Sequence, residues 1–185
     1  VLDLCAAPGG KTMQLAAAGW QVTAVDSSSK RLERLRENLA RTQLQADMIT
    51  ADLRNFTPSQ PVDAVLLDAP CSATGTFRRH PDVLHRVTDA DIASLAQLQA
   101  ELLARAATWV KPGGLLVYAT CSLEPDEGEE IVRAFLANNP DWRIGPAQYG
   151  EVPVGVTVAP EGWVRTLPAS EPVLDGFYIA RLTAP

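Results

Sequence analysis

Two cysteines in this chain stand in segments where a thiol could act as a nucleophile. Cys71 follows Asp68-Ala69-Pro70, Cys121 follows Ala119-Thr120, and a serine comes directly after each cysteine. A lone cysteine near a strand end is usually a small buried hydrophobic residue. Two cysteines that both follow predicted strands, with an aspartate nearby, favour a catalytic role for at least one, because a thiolate is a strong nucleophile. From the residues alone, either cysteine can take that role.

A second chemical feature is the loop after the first predicted strand. Its candidate ligand-binding residues are Cys5, Ala6, Ala7, Pro8, Gly9, Gly10 and Lys11. Small residues and paired glycines let a ligand approach the backbone, and the first amides of a helix bind anions. Gly10-Lys11-Thr12 resembles the end of a phosphate-binding loop, but Cys5 stands where that motif needs its first glycine. We expect a carboxylate rather than a polyphosphate here; a tight turn without ligand and a nucleotide triphosphatase are the alternatives.

Two aspartates extend this site towards a nucleoside. Asp26 ends the second predicted strand, and Asp52 follows the third. A carboxylate after the second strand can accept hydrogen bonds from both ribose hydroxyls, and we expect Asp52 to meet an edge of the base. Taken singly, each is more often a surface or capping residue. Together with the loop, they predict an adenosine-like ligand that carries an amino-acid tail and no diphosphate, a description that S-adenosyl-L-methionine fits.

A thiolate next to a methyl donor is what methylation of a pyrimidine carbon requires. C5 of cytosine is a poor nucleophile, but attack of a thiolate on C6 makes C5 enamine-like, so that it can take a methyl group from a sulfonium. A carboxyl group at the N3/N4 edge would stabilise the activated ring, and Asp68 is the candidate. The target base must be single-stranded or extruded from its stack to reach such a pocket.

Short apolar runs alternate with helix-length amphipathic runs, which predicts an α/β domain with a mostly parallel sheet. Parallel strands are predicted at Val1–Leu4, Gln21–Val25, Asp47–Ala51, Val62–Leu67 and Leu115–Thr120, and helices at Thr12–Ala18, Lys30–Arg41, Asp89–Val110 and Asp126–Asn138. Residues 145–162 are predicted to be loop, and Trp163–Leu167 and Phe177–Leu182 an antiparallel pair at one sheet edge. In such sheets ligands bind beyond the carboxyl ends of the strands, which is where the candidate catalytic and ligand-binding residues lie.

Composition limits the classes of protein that fit. The 185 residues suit one domain, and 16 Lys and Arg against 22 Asp and Glu give a net charge of −6, which argues against nucleic-acid binding through bulk charge. Three cysteines form no disulfide framework, so a reducing, cytoplasmic setting is expected, without metal or membrane span. Because the chain opens within a predicted strand and without an initiator methionine, we expect a fragment or a processed chain whose upstream part is missing.

Four segments carry a resemblance to a known family. They are Asp3–Thr12, Asp68–Ser72, Arg78–Asp82 and Thr120–Ser122, and the similarity continues through Asp175–Tyr178. In these the chain resembles the Sun/Nop2-type RNA cytosine-5 methyltransferases, and among them the bacterial Sun proteins, which methylate a cytosine in small-subunit ribosomal RNA. The resemblance implies a Rossmann-like methyltransferase fold over residues 1–185, with helices on both faces of the sheet and an antiparallel edge strand.

The same resemblance implies a division of roles within the site. It implies that Cys121 is the nucleophile and that Cys71 assists breakdown of the covalent adduct. It assigns the loop Cys5–Lys11 together with Asp26 and Asp52 to S-adenosyl-L-methionine, and Asp68 to both cofactor and target base. Lys11 is also a candidate for a position near the target.

Further expectations concern the partner and the remaining charges. The basic cluster Arg78, Arg79 and His80 is expected to contact the RNA strand. The basic residues of the helix Lys30–Arg41 are expected to form a solvated face, and the acidic run Asp126–Glu130 to begin a helix without a further role. RNA is the expected partner, and the protein is expected to be monomeric. A cofactor-binding module without catalysis is the alternative function, because an upstream part is expected to be missing and the charge is acidic.

Overall fold

The computed structural model describes residues 1–148, 150–156, 158–168 and 173–185. Within them, eight strands form one sheet against which the helices pack. The strands are β1 (Leu2–Leu4), β2 (Thr23–Asp26), β3 (Asp47–Thr50), β4 (Val62–Asp68), β5 (Val110–Thr120), β6 (Arg143–Ile144), β7 (Val164–Thr166) and β8 (Phe177–Thr183). The helices are α1 (Gly10–Ala17), α2 (Ser29–Thr42), α3 (Val83–Arg86), α4 (Asp89–Ala107) and α5 (Glu129–Asn138), with 3-10 turns at Thr74–Thr76 and Pro125–Glu127.

The strand order is β3-β2-β1-β4-β5-β8-β6, and β7 also pairs with β8. The first five strands of this order are parallel, whereas β8 is antiparallel to its three neighbours. The predicted α/β class and the antiparallel pairing of the two late strands are therefore confirmed. The outer positions at this side belong to the short β6 and β7, because β8 inserts between them and β5.

Both faces of the sheet are covered, and the pairing register decides which side chains meet on each face. Leu4 lies beside Val25 on one side and Leu67 on the other, and Leu67 lies beside Tyr118. These side chains belong to the larger apolar cluster, to which α4 and α5 contribute. Ala24 points to the opposite face, because side chains alternate along a strand, and belongs to the cluster that α2 covers.

Local sequence signals account for the starts of the two longest helices. The Ser28 hydroxyl accepts a hydrogen bond from the Arg31 amide, which caps the first turn of α2. Thr88 and Asp91 form a reciprocal capping box at the start of α4. Each cap satisfies amides that the helix itself leaves without a partner.

Several predicted boundaries differ from the structure. The strand predicted from Leu115 begins at Val110, because a register shift opposite Val62/Ala64 absorbs the two glycines. The helix predicted from Asp126 is a 3-10 turn followed by α5.

The short elements α3 and β6 were not predicted, since four and two residues are too few for a periodic pattern. The predicted loop 145–162 carries an isolated bridge at Val158 and otherwise no strand or helix in its described part; Tyr149 and Thr157 lie outside the described residues.

No helix in the described part of the chain is both long and apolar enough to cross a membrane.

A close backbone contact joins the segment after β4 to the start of β8. The amide of Gly176 donates to the carbonyl of Gly75 at 2.8 Å, and the amide of Gly75 donates to the carbonyl of Cys121 at 3.0 Å. A Cβ atom at Gly75 would lie 2.1 Å from the Gly176 carbonyl oxygen and 2.9 Å from that of Cys121. Only glycine allows the three segments to approach this closely.

Gly75→Ala is therefore expected to lower the free energy of unfolding by about 3 kcal/mol, because the methyl group would meet backbone atoms that cannot move aside. Gly10→Ala is the matched control, since a Cβ there meets no heavy atom within 4 Å and alanine favours the helix. Urea unfolding followed by circular dichroism compares the two. Equal stabilities would contradict the close packing of Gly75.

Candidate active site

The candidate site lies where β1 and β4 are neighbours and the chain departs to opposite sides of the sheet. Crevices at such points bind ligands in open α/β sheets. A cavity of about 380 Å³ opens here. Its lining includes the predicted residues Cys5, Ala7, Asp26, Asp52, Asp68, Cys71 and Cys121, together with Arg31, Leu53, Pro70, Leu98 and Leu102. The loops after β1, β2, β3, β4 and β5 thus converge as the sequence predicts.

The loop after β1 is held by Asp26, which is buried. Its carboxylate accepts a hydrogen bond from the Ala7 amide at 3.1 Å and one from the Ser28 amide at 2.9 Å. The Arg31 guanidinium lies 3.4 Å from the same carboxylate and donates to the Ala7 carbonyl. Arg31 is exposed, as expected for the basic residues of α2, but it also lines the cavity.

Glycine is required once within this loop for reasons of conformation and space. Gly9 has a φ of +101°, and a Cβ there would lie 2.7 Å from Cγ of Leu35. The loop therefore packs directly on α2. Gly10 and Pro8 are exposed, and neither they nor Ala6, Gly9 and Lys11 line the cavity.

The carboxyl group of Asp3 lies buried beneath the loop. The Thr12 hydroxyl donates to one of its oxygens at 2.5 Å, while the other oxygen has no partner in the described part of the chain. Burial raises the pKa of Asp3 from 3.8 to about 6. Because Thr12 is engaged with Asp3, and Lys11 with Asp68, the two side chains that a phosphate-binding loop would use are both committed to carboxylates.

The two candidate nucleophiles are in contact. The sulfur atoms of Cys71 and Cys121 are 3.5 Å apart, and both side chains are half-buried. Their hydrogen bond and the burial of the site raise the pKa of the Cys71 thiol. The same hydrogen bond lowers the pKa of Cys121, because a thiol at Cys71 can donate to a thiolate at Cys121. Of the two, Cys121 is thus the one favoured as a thiolate.

Lys11 connects the loop to the rest of the site. Its ammonium lies 2.7 Å from the Asp68 carboxylate and 5.7 Å from the centre of the Phe177 ring. Its charge also contributes to the lowered pKa of Cys121, against the opposite effect of Asp68. Lys11 thus links the predicted cofactor loop to Asp68.

Asp52 reaches the cavity wall but is paired with a neighbour. The Arg54 guanidinium forms three hydrogen bonds to its carboxylate and the Arg54 amide a fourth, which lowers the pKa of Asp52 to about 2. The side chain is about two fifths exposed, at 38%. The predicted contact of Asp52 with a base would therefore compete with Arg54.

The predicted RNA-contacting cluster lies outside the cavity. Arg78 and Arg79 are exposed and both form ion pairs with Asp175, at 3.6 Å for Arg78. His80 is also exposed. The three residues therefore form a surface patch, part of whose charge Asp175 neutralises.

One buried residue near the thiols was not predicted. Glu127 is fully buried and accepts hydrogen bonds from Ser72, Ser122 and Gln99. The sequence places it in an acidic run that is expected to begin a helix, whereas in the structure it lies buried in the 3-10 turn before α5. The available signal was weak: two Cys-Ser pairs whose serines need an acceptor. Within the described residues, no group of three or more His, Cys, Asp or Glu could hold a metal ion.

Comparisons with known proteins identify the family to which this chain is similar. A family model described as 16S rRNA methyltransferase RsmB/F matches residues 1–183. The ribosomal RNA small subunit methyltransferase B of Vibrio cholerae is 45% identical over 191 residues, which cover 99% of this chain and 41% of that protein. The chain therefore spans about two fifths of the length of this relative.

Solved structures have the same architecture. A structure of NSun6 from Pyrococcus horikoshii with SFG has a TM-score of 0.86 and 28% identity, and the match covers 98% of this chain and 47% of that one. A methyltransferase homolog protein from Pyrococcus horikoshii has a TM-score of 0.80 and 31% identity, and covers 100% of this chain and 61% of that one. The Rossmann-like methyltransferase fold is thereby confirmed.

Replacement of Asp3 tests the cost of its burial. Because the native pKa is about 6, the native state binds more protons than the unfolded state between pH 4 and 6, and stability falls as pH rises through that range. In Asp3→Asn this loss disappears, so the stability of the variant relative to wild type should rise by about 1 kcal/mol between pH 5 and pH 7. Urea unfolding at each pH measures the difference. A difference that does not change with pH would contradict the buried, protonated carboxyl group.

Alkylation tests the difference in pKa between the thiols of Cys71 and Cys121. With iodoacetamide and peptide mapping by mass spectrometry, Cys121 should react with a midpoint pH below that of free cysteine and below that of Cys71. Cys71→Ala removes the donor and should raise the midpoint of Cys121. Cys5→Ala is the control, because burial raises the pKa of Cys5 to about 12 and the interaction with Cys71 remains. An unchanged Cys121 midpoint in Cys71→Ala would refute the hydrogen bond.

Proposed function

The chain belongs to the 16S rRNA methyltransferase RsmB/F family, and we propose that it transfers a methyl group from S-adenosyl-L-methionine to C5 of a cytosine in RNA through a covalent cysteine adduct. Small-subunit ribosomal RNA is the proposed substrate, since the relatives are named for it. The observation that carries the proposal is the contact of the Cys71 and Cys121 sulfurs at 3.5 Å, in a cavity that also contains Asp26 and Asp68.

The residues of the cavity fit the proposed cofactor. Asp26 ends β2 as a buried carboxylate whose oxygens have further acceptor capacity for ribose hydroxyls. Leu53, Leu98 and Leu102 supply an apolar wall of the kind that an adenine ring packs against. When bound, S-adenosyl-L-methionine supplies an electrophilic methyl group on a sulfonium. The carboxylates of the cavity suit that positive charge.

Cys121 is the proposed nucleophile, as the resemblance of its Thr-Cys-Ser segment implies, and a hydrogen bond from Cys71 would lower its pKa. Its thiolate forms a bond to C6 of the cytosine, and the π electrons of the C5–C6 double bond then make C5 nucleophilic. Asp68, ion-paired with Lys11, is the proposed group at the N3/N4 edge, where its carboxylate accepts a hydrogen bond from the 4-amino group and orients the ring. The pair would hold its orientation without reorganising during the reaction.

Cys71 is proposed to assist release of the product. On the methylated ring a base removes the C5 proton, the C5–C6 double bond forms again, and Cys121 leaves as a thiolate. The sulfur of Cys71 lies 3.5 Å from the leaving sulfur, and hydrogen bonding and burial hold it as a thiol. A thiol donor at that distance stabilises the departing thiolate.

Arg78, Arg79 and His80 remain the proposed contacts to the RNA backbone. All three are exposed, and the outer faces of the two guanidiniums stay available because Asp175 engages them from one side. Phosphate contacts of this kind orient a strand without reading its sequence. The net charge of −6 makes such a local patch the more important.

Exchange of the cysteines tests the mechanism in the protein that carries this chain. With S-adenosyl-L-methionine and small-subunit ribosomal RNA from cells that lack the enzyme, Cys121→Ala should abolish methyl transfer, because no adduct can form. Cys71→Ala should accumulate a protein–RNA adduct that survives a denaturing gel, because release is slowed. The double variant is the control and should give no adduct. Normal turnover by Cys121→Ala would reject the assignment of the nucleophile.

A further inference from the structure

The buried carboxylate of Glu127 belongs to no role described so far. It stands in the 3-10 turn before α5, its side chain is fully buried, and it does not line the cavity. A buried charge is unfavourable unless its hydrogen-bonding capacity is met. The groups that meet it therefore indicate what it does.

Four donors saturate the carboxylate. Oε1 accepts from the Ser72 amide at 2.9 Å and from the Gln99 side-chain amide at 2.9 Å. Oε2 accepts from the Ser122 hydroxyl at 2.6 Å and from the Ser72 hydroxyl. No lysine or arginine of the described chain forms an ion pair with it. Neutral donors alone stabilise this charge.

Two of these donors stand directly after the two thiols. Ser72 follows Cys71, Ser122 follows Cys121, and one carboxylate joins both serines across 50 residues of sequence. The serine hydroxyls are themselves 3.2 Å apart. One carboxylate therefore contacts the residue that follows each thiol.

Further bonds make this arrangement rigid. The Gln99 amide that donates to Glu127 also donates to the Pro70 carbonyl at 2.9 Å. The backbone carbonyl of Glu127 accepts from the Tyr118 hydroxyl at 2.8 Å and from the Thr120 hydroxyl at 3.2 Å. The backbone of Glu127 is thus bound to β5 and its carboxylate to α4, independently of the two cysteine loops.

We propose that Glu127 is a positioning residue, which holds the sulfurs of Cys71 and Cys121 in contact by fixing the serine after each. The inference rests on the proposed function only in that both sulfurs act in the reaction; the contact itself needs neither RNA nor cofactor. The negative charge also adds to the raised pKa of Cys71, after the larger effects of the Cys121 hydrogen bond and burial. Loss of the carboxylate should therefore separate the sulfurs and weaken the hydrogen bond that stabilises the Cys121 thiolate.

Glu127→Gln is the principal test, and Asp126→Asn is its matched control. Both remove one negative charge from the same turn, but Asp126 is exposed. Glutamine has nearly the same volume as glutamate. Its amide nitrogen is a donor, however, and cannot accept the two hydrogen bonds that each carboxylate oxygen of Glu127 accepts. With dibromobimane, which becomes fluorescent on bridging two close thiols, Glu127→Gln should cross-link Cys71 to Cys121 more slowly than wild type. The alkylation midpoint of Cys121 should rise, and Asp126→Asn should match wild type in both.

Steady-state methylation gives a second readout. In the protein that carries this chain, Glu127→Gln should lower kcat roughly 100-fold, as expected for a small misplacement of reacting groups, with the KM for RNA within about twofold of wild type because binding is unaffected. Glu127→Asp keeps the charge and should recover part of kcat. A loss of global structure would move KM and kcat together and would change the circular dichroism spectrum.

The proposal is overturned if folded Glu127→Gln cross-links, titrates and turns over as wild type does. If that variant does not fold, Ser122→Ala decides, since it keeps the carboxylate and removes one link to a cysteine loop. Slower cross-linking in Ser122→Ala then supports the proposal, and wild-type behaviour overturns it. A wild-type protein that methylates no RNA would refute the proposed function, while the cross-linking result would still decide the role of Glu127.

Discussion

Parallel pairing of β4 with β5 places Asp68 beside Ala119, and both cysteine loops leave the sheet from that pair of residues. Because parallel strands end at the same edge, residues 50 positions apart in sequence come within contact distance. The pairing of β1 with β4 brings the loop Cys5–Lys11 to the same edge. The site is therefore a consequence of sheet topology, and few side chains are needed to define its general location.

Its precise geometry depends on charges that have been removed from water. Asp26 and Glu127 are both buried, and hydrogen bonds from backbone amides, hydroxyls or a side-chain amide stabilise each of them. Asp26 fixes the loop after β1, and Glu127 fixes the loops after β4 and β5. Buried carboxylates with several donors each give more exact placement than apolar contacts can, because hydrogen bonds are directional.

The strands, the long helices and the edge at which the site forms could be predicted, because alternation of apolar runs and helix caps are local signals. Cys71, Cys121, Asp26 and Asp68 were predicted from their places after strands, and the structure brings them together in one cavity. The contacts of Arg31 and Glu127 could not be predicted, for a common reason. Their partners lie far along the chain, at Ala7 and Ser72, and such bonds leave no periodic trace in the sequence.

Local chemistry in the amino-acid sequence was thus sufficient to establish the fold class and the residue types at the strand ends. The 3.5 Å contact between the sulfurs and the engagement of Arg78 and Arg79 by Asp175 follow from the folded chain alone. The difference has a physical origin. Periodicity and capping report interactions within one element, whereas these distances are set by how separate elements pack and by which polar groups lose their contact with water.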